Sequence, residues 1–278
     1  MRLLVTNERR NIMNILLAIN NNYVEQTITL LSSIKENHTR DKINIFILNK
    51  DLKQKEKNKI KTCFNNTNIY IKFITINDNE INNFPVLEKR YPVEIYFRLF
   101  ATKYLPKNID RILYMDVDTI VINPLEDFYN MDFDGNLFIG ATHVNNFFKK
   151  FNQLRLKLPK NSDYINSGVL LMNIKQLRNV DIENDVKQYI KNNKGKLLLP
   201  DQDLLNALYG NRIKLVSYLK YNLGDKTIKQ YNRFNKEKID IDWIKKNTVI
   251  IHYYGRNKPW NKNYKGMLDS FYNYYLKQ

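Results

Sequence analysis

Cysteine occurs once, at Cys63, so no intramolecular disulfide can form and the chain fits a reducing, cytoplasmic compartment. Its setting in Ile60-Lys61-Thr62-Cys63-Phe64 predicts core packing on the apolar side of a helix. Glycine and proline are scarce, 8 and 7 in 278 residues, and no stretch rich in Gly, Pro or Ser interrupts the chain as a flexible linker would. One continuous domain follows as the simplest parse. No apolar run approaches the roughly 20 residues of a membrane-spanning helix, and no secretory signal pattern opens the sequence. Acidic residues number 28 against 45 basic ones, for a net charge of +17. That balance favours a polyanionic partner, or else is a solvated lysine surface. Zinc-finger spacing, an RNP signature and a helix-turn-helix pattern are all missing. Nucleic acid is therefore set aside, and phosphate-bearing substrates and anionic lipid surfaces remain.

What is present alternates. Residues 14–19 form a short apolar run of the kind found in strands buried on both faces. Ile28, Leu31 and Ile34 recur at helical spacing within 23–37. Residues 42–48 read as a strand, 52–64 as a lysine-rich surface helix and 69–74 as a third strand. Such repeats predict the α/β class: a Rossmann-like, mostly parallel central sheet flanked by helices, with right-handed crossovers. Residues 78–92 hold two prolines and little periodicity, and predict a loop able to fold over a ligand. A helix over 93–104 carries Arg98. Further on, 137–142, 165–173 and 249–253 read as strands, and 181–193, 200–209 and 265–277 as helices. Residues 1–12 are expected to form a flexible N-terminal extension, 13–260 the domain, and 261–278 a small basic and aromatic helical extension.

The run Ile112-Leu113-Tyr114-Met115 ends at Asp116-Val117-Asp118. In doubly wound sheets ligands sit beyond the carboxyl ends of strands, and both this pair and Asn20-Asn21-Asn22-Tyr23 fall at such ends. Two neighbouring carboxylates repel on burial unless a cation lies between them, and their hard oxygens suit a divalent ion. The same pair could instead cap a turn. Val249-Ile250-Ile251 delivers His252 to another strand end, where neutral imidazole would complete an O,O,N set or be an ordinary half-buried histidine. Beyond it, Gly255 permits close backbone approach to a phosphate and Lys258 supplies a point charge. Asn166-Ser167-Gly168 and Asp201-Gln202-Asp203 offer small polar groups suited to sugar hydroxyls. Helix capping by Asp201 is the other reading.

Six segments in order then resemble one family. They are Ala18-Ile19-Asn20-Asn21-Asn22-Tyr23, Tyr96-Phe97-Arg98-Leu99, Tyr114-Met115-Asp116-Val117-Asp118, Asn166-Ser167-Gly168-Val169-Leu170, Asp201-Gln202-Asp203, and the run from His252 through Gly255 and Lys258 to Trp260. The chain resembles glycosyltransferase family 8, which holds bacterial lipopolysaccharide galactosyl- and glucosyltransferases and glycogenin. The resemblance implies a GT-A fold and transfer of galactose or glucose from a UDP-sugar. Mn²⁺ or Mg²⁺ would be the cofactor, the anomeric configuration would be retained, and the acceptor would be a glycan, glycolipid or glycoprotein. It implies Asp116, Asp118 and His252 as metal ligands and Gly255 and Lys258 on the diphosphate. Ala18, Asn20, Asn22 and Tyr23 would line the uridine pocket, and Val117 would sit in the nucleotide-sugar site. Asn166, Ser167, Asp201 and Gln202 would hold the sugar, with Arg98 near it and Gln202 nearest the anomeric carbon. Arg98, Asp201 and Gln202 are thus the candidate catalytic residues. Family members often place Asp where this chain has Asn20, although an amide oxygen can still accept from uracil N3–H.

Two rivals remain. Asp116-Val117-Asp118-Thr119-Ile120-Val121 nearly fits the haloacid-dehalogenase phosphohydrolase signature, with Asp116 as phosphoryl acceptor and Asp118 as general acid. That motif normally opens its domain, whereas here it follows a long α/β stretch, and no downstream acidic pair suits Mg²⁺. A non-catalytic sugar-nucleotide-binding protein on the same fold is the other rival. In the tail, Lys262, Lys265 and Lys277 accompany Tyr264, Phe271, Tyr272, Tyr274 and Tyr275. They predict either peripheral attachment to the inner face of the cell membrane or packing on the domain. Residues 145–160, with five basic residues and no acid, predict a solvated loop or part of the acceptor side.

Overall fold

The computed structural model describes residues 11–77, 93–142, 146–158, 162–193 and 197–277, with 146–150 described as backbone only. The predicted loop over 78–92 and nearly all of the predicted N-terminal extension lie outside the described residues. Nine strands are named here: β1 Ile12–Ala18, β2 Lys42–Asn49, β3 Ile69–Thr75, β4 Arg111–Met115, β5 Thr119–Val121, β6 Phe138–Ala141, β7 Val169–Asn173, β8 Ile213–Val216 and β9 Ile250–His252.

Alternation along β1 divides its side chains between two cores. Met13, Ile15 and Leu17 face one apolar cluster, and Leu16 faces the other. Helix α1, Val24–Asn37, crosses from β1 to β2 and buries Val24, Leu30, Leu31 and Ile34 in the first of these clusters. Helix α2, Gln54–Cys63, is lysine-rich and buries only Ile60 along its length. Phe64, its C-cap residue, is buried beside it. Cys63 is exposed, against its expected place in the core. Ile60 and Phe64 define the inward face, and at about 100° per residue Cys63 falls roughly 80° from its centre.

The main sheet has seven strands in the order β3-β2-β1-β4-β7-β6-β8. The expectation of a mostly parallel sheet holds from β3 to β4. Strand β7 runs antiparallel to both β4 and β6, and β8 returns parallel to β6. Because β7 runs backwards, its amino end meets the carboxyl end of β4: Met115 pairs with Val169, and Asp116 N donates to Gly168 O at 2.7 Å. The predicted strand over 165–173 therefore shortens at its start, where Asn166, Ser167 and Gly168 form a turn at the site. The predicted helix over 93–104 divides into a 3-10 turn, Val93–Tyr96, and a short helix, Ala101–Tyr104, with Arg98 between them.

Strands β5 and β9 pair apart from the main sheet, with Thr119 opposite His252. A third apolar cluster covers them, built from Ile120, Leu223, Ile228, Ile251 and Tyr253. The tail helix Asp269–Leu276 adds Tyr272 and Tyr275 to this cluster. Tyr275 Oη accepts from Asn37 Nδ2 at 3.2 Å, and Tyr253 Oη donates to Leu268 O at 2.8 Å. Of the two uses open to these aromatics, Tyr272 and Tyr275 pack on the domain. Tyr274 stays half-exposed and donates to Glu36 Oε1. Among the described residues no helix is long and apolar enough to cross a membrane.

Candidate active site

Side chains two apart on a strand share a face, so Tyr114 and Asp116 stand together at the end of β4. Tyr114 Oη donates to Asp116 Oδ1 at 2.6 Å, and Arg98 Nη2 reaches the same oxygen at 2.9 Å. Both partners hold one carboxylate oxygen, and Asp116 Oδ2 lies 3.9 Å from His252 Nε2. Thr119 Oγ1 donates to Asp116 O at 2.7 Å and closes the turn into β5. Tyr253 N donates to Asp118 O at 2.8 Å, which ties the same turn to the end of β9. His252 Nε2 thereby sits 3.1 Å from Asp118 Oδ1. Lys258 pairs with Asp118 Oδ2 and donates to Tyr253 O at 2.8 Å. Burial alone would raise the Asp118 pKa. The Lys258 ammonium and the His252 ring in its charged form outweigh it and hold the carboxyl well below the ordinary range.

One ligand atom from each of Asp116, Asp118 and His252 falls within 4.8 Å of the others. Two carboxylate oxygens and an imidazole nitrogen at that spacing fit a hard divalent cation. A second cluster, His38 with Asp41 and Glu126, has similar spacing but different chemistry. There His38 Nε2 accepts the Leu125 N–H at 3.2 Å, so the ring hydrogen must be on Nδ1, which faces both carboxylates at 3.2 Å. With its lone pair occupied, His38 fastens the end of α1 and offers a metal nothing.

Behind Asp116 lies a layer of buried polar groups. Arg98 is 5% exposed; its Nη1 donates to Ser167 O at 2.6 Å and its Nε lies 3.3 Å from Asp201 Oδ2. Burial disfavours its charge, but Asp116, Tyr114 and Asp201 together raise its pKa. Asp201 is raised by burial, opposed by Arg98 and reinforced by Asp116. Ser167 Oγ donates to Asp201 Oδ2 at 3.1 Å. Asp201 therefore faces the site and does not cap its helix, Pro200–Tyr209. Asp203 does that work, accepting from Leu198 N at 2.7 Å and Leu199 N at 3.0 Å. Arg155, from the basic segment 145–160, grips Asp203 with both Nη atoms at 2.8 and 2.9 Å. Gln202 Oε1 accepts from Ser167 N and Asn166 Nδ2, each at 3.2 Å.

The cleft in front of this layer has a volume of about 160 Å³. It gathers Ala18, Asn20, Tyr23, Arg98, Asp116, Val117, Asp118 and Lys258, all expected from the sequence. Asn22 is outside that lining; its backbone N–H donates to Asn20 Oδ1 at 3.0 Å and its side chain is exposed. Gly255 takes φ +88° on an exposed turn, a conformation that favours glycine. Asn166, Ser167, Asp201, Gln202 and His252 form the wall behind the cleft. Sequence reasoning missed Ile19, Glu94, Ile95 and Tyr114 as lining residues. Tyr114 carried a signal, being two residues before Asp116 on one strand; Glu94 carried none.

The fold and this strand-end site define a GT-A glycosyltransferase. The structure of galactosyltransferase LgtC, in complex with donor and acceptor sugar analogues, superposes with a TM-score of 0.81 at 21% identity, covering 95% of each chain. That of the glycosyltransferase GlyE of Streptococcus pneumoniae superposes with a TM-score of 0.72 at 19% identity, covering 97% of this chain and 61% of that one. Residues 14–264 match the family model for glycosyl transferase family 8. The chain belongs to that family. A lipopolysaccharide 1,2-glucosyltransferase of Escherichia coli is 25% identical over 268 residues, covering 91% of this chain and 75% of its own.

Proposed function

We propose that this glycosyltransferase moves galactose or glucose from a UDP-sugar to a glycan, glycolipid or glycoprotein acceptor with retention of anomeric configuration. The convergence of Asp116, Asp118, His252 and Lys258 at one end of the cleft carries the reading. Asp116, Asp118 and His252 would hold Mn²⁺ or Mg²⁺, which supplies charge stabilisation to a departing diphosphate. Lys258 and the turn at Gly255 would take the diphosphate oxygens. Ala18, Asn20 and Tyr23, at the end of β1, would receive the uridine, and Asn20 Oδ1 keeps a second lone pair for uracil N3–H.

Arg98, Asn166, Ser167, Asp201 and Gln202 would orient the hexose. An oxocarbenium-like state forms as the bond from the anomeric carbon to phosphate breaks. Gln202 is an uncharged amide whose oxygen already accepts two hydrogen bonds, and Asp201 is tied to Arg98 and Ser167. Neither is a ready nucleophile. Attack by the acceptor hydroxyl on the face that UDP leaves is therefore favoured, its proton passing to a phosphate oxygen.

The test is UDP release from UDP-galactose and UDP-glucose, with Mn²⁺, with Mg²⁺ and with chelator, beside p-nitrophenyl phosphate as control. UDP release with one hexose, lost on chelation and lost in Asp118→Asn, is expected. Turnover of p-nitrophenyl phosphate alone would restore the hydrolase. UDP binding indifferent to the cation, without sugar release, would leave a binding protein. A trapped glycosyl adduct on Gln202 or Asp201 would overturn same-face attack.

A further inference from the structure

Asn222 belongs to none of the segments that carry the family resemblance, yet it touches His252 in the interior. Its side chain is fully buried, and His252 is 1% exposed. The segment around it is fixed to β9 from both sides, with Leu223 N donating to Ile250 O at 3.1 Å and His252 N to Leu223 O at 2.8 Å. Asn222 N donates in turn to Tyr218 O at 3.0 Å. The amide therefore has little freedom to move or turn.

Its orientation follows from a backbone group that has only one possible role. Gly168 N–H is a donor, and its partner 3.1 Å away is the Asn166 side chain, which must present Oδ1. The Asn222 atom 3.1 Å from that same oxygen must then be Nδ2. Asn222 Oδ1 is left facing His252 Nδ1 at 2.8 Å, and an oxygen there requires a hydrogen on Nδ1. In neutral His252 the lone pair is consequently on Nε2, the nitrogen turned toward Asp118 and Asp116. At the other end, Asn166 Nδ2 donates to Gln202 Oε1. One polarised chain of three amides thus runs from Gln202 through Asn166 and Asn222 to the imidazole.

We infer that Asn222 is the positioning residue that fixes the His252 tautomer, aims Nε2 at the acidic pair, and joins this nitrogen to Gln202 on the sugar side. Without Asn222 no acceptor would face Nδ1 there, and Asp118 Oδ1 would draw the hydrogen onto Nε2, closing that nitrogen to a cation. Partners of ligating histidines typically change metal affinity by 10–100-fold when removed. The bearing on cation binding rests on the Asp116–Asp118–His252 reading above; the position of the ring hydrogen does not.

The chain has three histidines, so ¹⁵N-histidine spectra of the full-length, metal-free protein are assignable by single substitution. A pH series reads which nitrogen keeps its hydrogen once the imidazolium has lost the other. Mn²⁺ alone, followed by electron paramagnetic resonance, reads affinity without turnover. Wild type is expected to keep the hydrogen on Nδ1. Asn222→Leu is expected to move it to Nε2 and weaken Mn²⁺ by about 10–100-fold. Asn222→Asp, which still offers Nδ1 an acceptor, should keep the hydrogen on Nδ1. A wild-type hydrogen on Nε2 overturns the inference, as does Asn222→Leu with unchanged tautomer and affinity. Should Asn222→Leu not fold, the wild-type and Asn222→Asp spectra decide. Should wild type hold the hydrogen on Nδ1 yet bind no Mn²⁺, the cation reading fails and the tautomer assignment stands.

Discussion

A β-carbon built on Gly168 would lie 2.3 Å from His252 Cε1 and 2.6 Å from Asp116 Oδ2. Backbone passes between two prospective ligands only because this residue has no side chain, and β7 is pinned there by the Asp116 N–Gly168 O bond. Gly168→Ala must therefore push His252 off its line. The overpacking should cost about 1–3 kcal/mol, and Mn²⁺ affinity should fall at least about 10-fold, as for displaced ligand supports. A thermal melt and a Mn²⁺ titration check the two; an unchanged affinity would mean that the ligands close elsewhere. At this scale much of the site was legible in the sequence. Asp116, Asp118 and His252 follow apolar runs that read as strands, and strand ends in such folds are where ligands bind. Asn222 was not legible, because in a sequence rich in asparagine nothing local marks one amide as the neighbour of a histidine 30 positions away. Asn22, in the same motif as Asn20 and Tyr23, is exposed and lies outside the cleft lining.

Elements whose ends carry chemical marks were readable from the sequence. Pro200 opens the helix Pro200–Tyr209, where its missing N–H has no cost. The direction of β7 was not readable: Val169-Leu170-Leu171-Met172 is apolar throughout and buried on both faces, so its sequence looks the same whichever way it runs. The helix expected over 93–104 breaks around Arg98, whose bond to Ser167 O is tertiary and invisible to periodicity. The tail helix raises a different issue. Tyr272 is 1% exposed and meets Trp260 and Tyr253 edge-on or tilted, with centroids 5.4 and 5.8 Å away. Tyr272→Ala should destabilise the fold by about 3–5 kcal/mol, read as a lower denaturation midpoint. A loss under about 1 kcal/mol would show the tail to be dispensable padding. Deleting the tail would expose this core, so point substitutions of its lysines are the cleaner probe of membrane contact.

For the whole molecule the net charge of +17 is the dominant long-range property. Lys262, Lys265 and Lys277 are exposed beside the packed tail and add to it. Vesicles rich in anionic lipid should sediment the protein at low salt and release it as the screening length shortens from about 10 Å near 0.1 M to about 3 Å near 1 M. Equal binding to neutral vesicles, or no salt dependence, would count against the peripheral attachment expected from the tail's sequence. The pairing of β5 with β9 has a consequence in time as well as in space. Asp118 and His252 are 134 residues apart in the chain, so a ribosome must deliver everything between them before the acidic pair meets its imidazole. Contacts of such separation form late and slowly, and a nascent chain that already has most of its sheet would still lack the assembled Asp116, Asp118 and His252. Under the proposed function, cation binding would report on completed folding, and a misassembled copy would be silent rather than wrongly active.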